Sequence, residues 1–247
     1  MMRDSIEITL PVLNEERRLE SGVRRLISFM NTQGLSNVNI VIADNGSSDR
    51  TEEIGNRLSL EYPGRVSFFK VPRRGVGLAL QTSWKNSKAA IVGYMDVDLA
   101  TDLKHLPEVV SAFEKGDVDV VAGRRLGPGA VVENRTWVRE LTSRGFNFLL
   151  QRMCRVTLAD GMCGFKFFRR QAALGIIQAE TTCEGWFFCA ELLVKCEWKR
   201  LKISEIPVHW KDDSDSRVDL LSTIYRYFRE LIRLSMEKRR WVRAYAT

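Results

Sequence analysis

Short, nearly continuous apolar runs alternate with longer amphipathic stretches through the first half of the chain. The runs are IEITLPVL (6–13), NVNIVIAD (37–44), RVSFFKVP (65–72), AAIVGYMD (89–96) and VDVVAG (118–123). Such runs suit strands buried on both faces of a parallel sheet. Between them, EERRLESGVRRLISFMN, DRTEEIGNRLSLEY, VGLALQTSWKNS and LKHLPEVVSAFEKG carry helical spacing. The alternation predicts an α/β fold, an open, doubly wound, mostly parallel sheet with helices on both faces. Ligands of such sheets sit at the carboxyl ends of the strands. Polar clusters fall at those ends: LNEE after the first run, DNGSSD after the second, DVDLATD after the fourth and GRR after the fifth.

The second half is less regular. NRTWVRELTSRGFNFLLQRM (134–153) predicts a long amphipathic helix, EGWFFCAELLVKCEWK a further helix and KISEIPVHW a strand. From about Asp219, apolar residues recur at helical spacing (Leu221, Ile224, Tyr225, Phe228, Leu231, Ile232), predicting C-terminal amphipathic helix. The expected organisation is one domain over 1–218 followed by a basic amphipathic helix over 219–247. Residues 225–247 hold seven Lys/Arg and two Glu, so they carry +5 of the formal +7 net charge. That balance points to an anionic partner. The five cysteines form no C-x-x-C pair, which argues for reduced packing thiols in the cytosol. The charged start has no long apolar stretch, and no apolar run reaches the roughly 20 residues a bilayer span needs. A soluble or membrane-peripheral protein is therefore expected.

Candidate chemistry centres on GYMDVDLATD (93–102). Asp96 and Asp98 are two apart, so an extended strand end would project them to one side. Two hard oxygen donors there suit Mg²⁺ or Mn²⁺ with positions left for substrate phosphates. The same pair could instead flank a sugar as acid and base, or dress a solvated turn. Asp102 precedes LKHLPEVV as a helix cap. In DNGSSDRT (44–51), Asp44 could accept hydrogen bonds from a base or ribose, while Ser47, Ser48 or Asp49 caps the helix at Thr51. The glycines of RRGVGLAL (73–80) could admit a phosphate or simply permit a tight turn, and the loop lacks the GxGxxG spacing. His209 reads as a core or loop histidine more readily than as a metal ligand.

Taken together, the ordered motifs resemble the inverting GT-A glycosyltransferases that use nucleotide sugars. They run P-x-x-N-E, D-x-G-S-x-D-x-T, G-x-G, D-x-D, G-x-R, C-G-F-K, G-W-x-F-x-x-E-L-L and P-V-x-W, over nearly the whole chain. Within that family the match is to the branch that loads dolichyl or undecaprenyl phosphate with one sugar. CGFKFF, EGWFFCAELL and PVHWKDDSDSR resemble the dolichyl-phosphate glucosyltransferases more than the mannosyl ones, so UDP-glucose is the expected donor and GDP-mannose the alternative. The resemblance implies that Pro11, Glu15, Asp44, Gly75, Gly77 and Asp96 border the nucleotide sugar. Asp98, with Asp96, would hold Mg²⁺ or Mn²⁺. Arg125 would sit near the phosphates as a catalytic cation, and Arg139, Ser143 and Arg217 would join it around the acceptor phosphate. The i, i+4 spacing of Arg139 and Ser143 independently puts them on one helix face, where Arg can grip phosphate bidentately.

Two departures matter. Val76 stands where relatives often have Lys, and Cys189 where they often have Asp, with Glu191 kept. A lipid monophosphate is already ionised near pH 7, so its transferase tolerates the loss of a base. The partners implied are a nucleotide diphosphate sugar, a polyprenyl phosphate, the anionic cytoplasmic face of a membrane and, with it, a possible separate membrane protein. A sugar nucleotidyltransferase would place a glycine- and lysine-rich loop after the first strand, where this chain has LPVLNEERR. A basic nucleic-acid-binding module would be repelled by the acidic strand ends. A degraded transferase is hinted at by Cys189 and opposed by the intact DVD.

Overall fold

A computed structural model describes residues 4–180, 183–212 and 220–245. Seven strands form one sheet in the order β3-β2-β1-β4-β7-β5-β8. They are β1 (Ile6–Val12), β2 (Val38–Asp44), β3 (Val66–Lys70), β4 (Ile91–Met95), β5 (Val120–Arg124), β7 (Phe165–Arg169) and β8 (Ile203–Pro207). All neighbours pair in parallel except β7, which runs antiparallel between β4 and β5. The sequence pattern did not separate this inserted strand from the surrounding loop. KISEIPVHW also divides: after β8 the chain passes to β9 (His209–Lys211), which pairs in parallel with β6 (Val131–Glu133) in a second small sheet.

Helices α1 (Leu19–Thr32), α2 (Thr51–Glu61) and α4 (Leu106–Glu114) cover one face. The other carries α3 (Val76–Asn86), α5 (Trp137–Cys154), α6 (Arg170–Glu180), α7 (Phe188–Trp198) and α8 (Leu220–Tyr245). Alternation along the strands sorts the side chains between two cores. On β4, Ile91 and Met95 join the first core while Val92 and Tyr94 join the second. On β7, Phe165 and Phe167 face the first and Phe168 the second. Gly93 lies opposite Phe167, and a side chain there would overlap the phenyl ring. The five cysteines are all free thiols, four of them buried.

Helix α8 does not stand apart from the domain. It packs on α5 and buries Leu231 and Leu234. The apolar stripe read from the sequence is largely outward among the described side chains, with Ile224, Tyr225, Phe228 and Ile232 exposed and Leu231 buried. No helix of the described residues is long and apolar enough to cross a membrane.

Candidate active site

The carboxyl ends of β1, β2, β4 and β5 converge on one edge of the sheet. Two loops there are laced by side chains. Asn14, in left-handed backbone at φ 56°, donates its N–H to Ser47 Oγ (2.9 Å), and its Oδ1 accepts from Ser48 N (2.8 Å). Glu15 N and Glu16 N reach Thr51 Oγ1 (2.8 Å) and Asp49 Oδ2 (3.1 Å). Asp49 Oδ1 accepts from N of Thr51, the first residue of α2, at 3.0 Å, while the N-cap position itself is Arg50 and has no side-chain cap bond. Pro11, buried near the end of β1, lies beyond Thr9, where the ladder to β4 stops, so its missing N–H breaks no pairing on that side.

Asp44 is fully buried. Its Oδ1 accepts from Ser47 N (2.8 Å), but its Oδ2 has no hydrogen-bond partner, with Lys70 Nζ 4.0 Å away. An unsatisfied buried carboxylate oxygen is costly, and a ligand N–H or O–H would satisfy it. Next to it, Asn45 Oδ1 accepts from Gly75 N. Gly75 and Gly77 have a packing role besides the expected one. A Cβ at Gly75 would come within 2.8 Å of Glu184 O, and one at Gly77 within 2.7 Å of Phe188 Cβ. The glycines therefore let α3 approach the segment entering α7.

The two aspartates of DVD do not lie on an extended strand end. Asp96 follows β4 directly and opens a turn closed by Leu99 N to Asp96 O (3.0 Å), with Leu99 at φ 56°. Asp98 sits inside that turn and caps it, Oδ1 accepting from Ala100 N at 3.0 Å. Burial raises the Asp96 carboxyl to about 7, Asp98 and Glu15 push it the same way, and Arg125 and Lys166 oppose them. Two crowded, partly desolvated carboxylates are what a divalent cation would relieve. Among the described residues no third carboxylate, His or Cys completes a cage, so substrate oxygens and water would supply the remaining ligands of Mg²⁺ or Mn²⁺. His209 is elsewhere, bonded to Glu133 (2.7 Å) and Lys104 (3.2 Å). Asp102 caps the turn before α4, accepting from Lys104 N at 3.0 Å.

Room for Asp96 comes from Gly164, where a Cβ would overlap the Asp96 carboxylate. Gly164→Ala should displace Asp96, lower turnover at least tenfold and cost about 1–3 kcal/mol by overpacking. Paired with Asp96→Ala, the same substitution should cost little further stability, and thermal melts of the four proteins check this.

Arg125 follows β5 and meets Asp160, a fully buried residue of the loop before β7. Arg125 donates from N (3.0 Å), Nε (2.7 Å) and Nη2 (3.0 Å) to that one carboxylate. Its guanidinium carbon lies 4.9 Å from the centre of the Trp210 ring. Burial alone would raise the Asp160 carboxyl, but Arg125 and Lys166 outweigh it and hold it at about 2. Lys166 is itself fully buried, donating to Cys163 O and to Tyr94 OH (3.4 Å).

On the acceptor side, α5 starts at Thr136, whose side chain accepts from Arg139 N. Arg139 Nη1 is 4.0 Å from Asp212 Oδ1, and Asp212 also takes Arg135 Nε (3.0 Å) and Trp210 Nε1 (2.8 Å). Arg139 and Arg125 are thus linked through Asp212 and Trp210. Ser143 Oγ is buried with no hydrogen-bond partner. One turn on, Asn147 Oδ1 accepts from Gly161 N (2.8 Å), which turns this face of α5 toward the loop holding Asp160. Arg217 lies outside the described residues. The sequence reading assigned no role to Asp160, Lys166, Trp210 or Asp212, although three of them stand in quoted motif stretches.

Residues 7–175 match the Glycosyl transferase family 2 model. Glycosyltransferase AglD of Haloferax volcanii is 32% identical over 232 residues, 92% of this chain but only 36% of AglD. A dolichyl-phosphate beta-glucosyltransferase of Dictyostelium discoideum is 27% identical over 240 residues, 93% of this chain and 73% of that protein. Among solved structures, glucosyl-3-phosphoglycerate synthase from Mycobacterium tuberculosis in complex with UDP superposes with a TM-score of 0.70 at 22% identity, over 94% of this chain and 80% of that one. Its complex with Mn²⁺, UDP-glucose and phosphoglyceric acid matches equally, at a TM-score of 0.70 and 21% identity. On the strength of the matched domain, the strand order and the site at the strand ends, the chain belongs to glycosyl transferase family 2 and has the GT-A fold.

Proposed function

We propose that the chain transfers a single hexose, with inversion, from a nucleoside diphosphate sugar, foremost UDP-glucose, to dolichyl or undecaprenyl phosphate. The observation that carries this reading is the fate of Glu191. This motif carboxylate is fully buried and committed to Lys195 (2.8 Å), Arg233 (2.8 Å) and Cys183 N (3.3 Å), while its neighbour Cys189 is a buried thiol. Neither offers the general base that an alcohol acceptor needs. A phosphate acceptor arrives ionised. The dolichyl-phosphate glucosyltransferases among the relatives support the same acceptor class.

In this reading Pro11, Glu15 and Asp44 border the nucleotide, the unpartnered Asp44 Oδ2 taking a base or ribose donor. Gly75 and Gly77 keep the neighbouring loop close. Asp98 and Asp96 would hold Mg²⁺ or Mn²⁺, which when bound supplies charge stabilisation for the departing diphosphate. Arg125 faces the phosphates, and Arg139 and Ser143 orient the acceptor so that its oxygen attacks the anomeric carbon in line. No proton needs removing from the nucleophile.

Where the lipid arrives follows from the surface. Ten of the thirteen exposed large hydrophobics among the described residues lie on α5 and α8. Trp137, Leu141 and Phe148 on α5 and Tyr225, Phe228 and Met236 on α8 are exposed apolar side chains on two helices that pack together. With the surrounding arginines this suits an anionic membrane surface at the cytoplasmic face. Trp137→Ser with Phe228→Ser should weaken co-sedimentation with phosphatidylserine vesicles at least fivefold and leave turnover of a short, soluble acceptor unchanged.

The deciding experiment incubates the protein with labelled UDP-glucose or GDP-mannose and polyprenyl phosphate in vesicles, with and without Mn²⁺. Label entering the lipid fraction from UDP-glucose is expected. Entry only from GDP-mannose reassigns the donor, and entry from neither, with or without an added membrane fraction to supply a presenting protein, refutes the transfer.

A further inference from the structure

We propose that Asp160 is the positioning residue for Arg125: it fixes the guanidinium so that one edge stays turned to a phosphate of the substrates. This rests on reading Arg125 as the phosphate-facing cation of the proposed transferase.

Guanidinium presents five N–H donors in a rigid fork. Asp160 occupies Nε and Nη2, and its Oδ2 also accepts the backbone N–H of Arg125, so one carboxylate holds both the main chain and the side chain of the same residue. Trp210 covers one face of the group. Nη1 donates to no residue of the described protein, and this leaves a charged two-proton edge. Arg125 follows β5 and Asp96 follows β4, and both strands run antiparallel to β7, so the arginine stands at the same end of the sheet as DVD.

Asp160 is immobilised in turn. Its Oδ1 accepts from Met162 N at 3.0 Å. Glu205 takes the N–H groups of Ala159 (2.9 Å) and Asp160 (3.4 Å), and Asn147 takes that of Gly161. The same short segment ends at Gly164, which makes the seat of Asp96. Residues 160–164 thereby touch the phosphate-facing arginine, the acceptor helix and the metal-side carboxylate. Stability alone does not account for such a pair, because a buried ion pair rarely outperforms well-packed apolar residues of the same volume. Orientation does.

The test compares wild type, Asp160→Asn, Arg125→Ala and the double variant. Two soluble probes separate the two sources of phosphate: UDP for the donor and citronellyl phosphate for the acceptor, each titrated calorimetrically. Asp160→Asn should weaken one probe about tenfold, lower kcat comparably and leave the other probe unchanged. In the Arg125→Ala background the same substitution should cost nothing further, because Asp160 acts only through the arginine. Additive losses, or Asp160→Asn matching wild type, overturn the proposal.

Should Asp160→Asn fail to fold, the wild-type chain still decides. On adding the bound probe, the Arg125 Nη1 protons should shift in the ¹⁵N-resolved NMR spectrum while Nε–H stays bonded to Asp160. Displacement of Nε–H, or no response to either probe, overturns it. If no sugar donor is ever consumed but the coupling between Asp160 and Arg125 is found, the transfer reading fails and the positioning role stands.

Discussion

Asp98→Ala is expected to lower sugar transfer by about 10³-fold, the scale seen when one element of preorganised charge stabilisation is removed, while the melting temperature stays within about 2 °C of wild type. The fold should hold because the turn that Asp98 caps through Ala100 N is also closed by the backbone bond from Leu99 N to Asp96 O. Stabilisation of the folded chain by Mn²⁺ with UDP, read as a rise in melting temperature, should disappear with the same substitution. Turnover within threefold of wild type, or an unchanged Mn²⁺ response, would exclude Asp98 as a ligand.

Asp96 should behave differently, because its burial works against the charge it carries. An aspartate ordinarily titrates near 3.9, whereas burial and Asp98 lift this one to about 7. The folded state therefore prefers its proton. The corresponding stability is present below about pH 4 and is lost as pH rises to about 7. Asp96→Asn removes the penalty, so the metal-free variant should be more stable than wild type at pH 8, on the order of 1–2 kcal/mol for a partly exposed group, and indistinguishable at pH 4. Mn²⁺ should narrow the gap at pH 8 by stabilising only the wild type. Urea titrations at the two pH values measure both effects. A variant no more stable than wild type at pH 8 would show that the carboxylate is solvated after all.

The outline of this site was legible because strand ends are marked twice over, by the stop of an apolar run and by the polar cluster that follows it. Asp44, Asp96 and Arg125 each stand at such a stop. Asp160 does not. It lies 35 positions from Arg125, and nothing in its neighbourhood distinguishes a carboxylate that clamps an arginine from one that begins a turn. Lys166 was hidden for another reason: the stretch around CGFKFF did not stand out from its loop as a strand, and it is the inserted antiparallel β7 that buries the lysine against Tyr94. The glycines of RRGVGLAL show a third case. The residues alone left a phosphate site and a tight turn both open, and close packing on Glu184 and Phe188 is a demand that the sequence did not show. On α8 periodicity found the helix but not its inward face, since Leu231 and Leu234 turn inward while the longer stripe turns out.

Lys195→Met should destabilise the chain by about 3 kcal/mol or more, the cost of leaving a buried charge without its partner. Lys195 is fully buried on α7 and joins Glu191 (2.8 Å) to Glu237 of α8 (2.6 Å). Arg233 meets the same two acids at 2.8 and 3.1 Å and also Glu230 at 2.7 Å. Five charges thus sum to −1, and removing the lysine leaves three carboxylates sharing one guanidinium, with Glu191 among them fully buried. Methionine keeps the aliphatic volume, so the loss reports charge and not a cavity. At roughly 2–4 °C per kcal/mol for a chain of this size, the melting temperature should fall by about 6–12 °C. Adding Glu191→Gln should recover much of this, because it restores the cluster to −1 and removes the carboxylate that the missing lysine had compensated. Recovery also separates this network from catalysis. If Glu191 is only an anchor for α8, the double variant should keep its turnover of a soluble acceptor, whereas a catalytic base would be lost with the first glutamate atom changed.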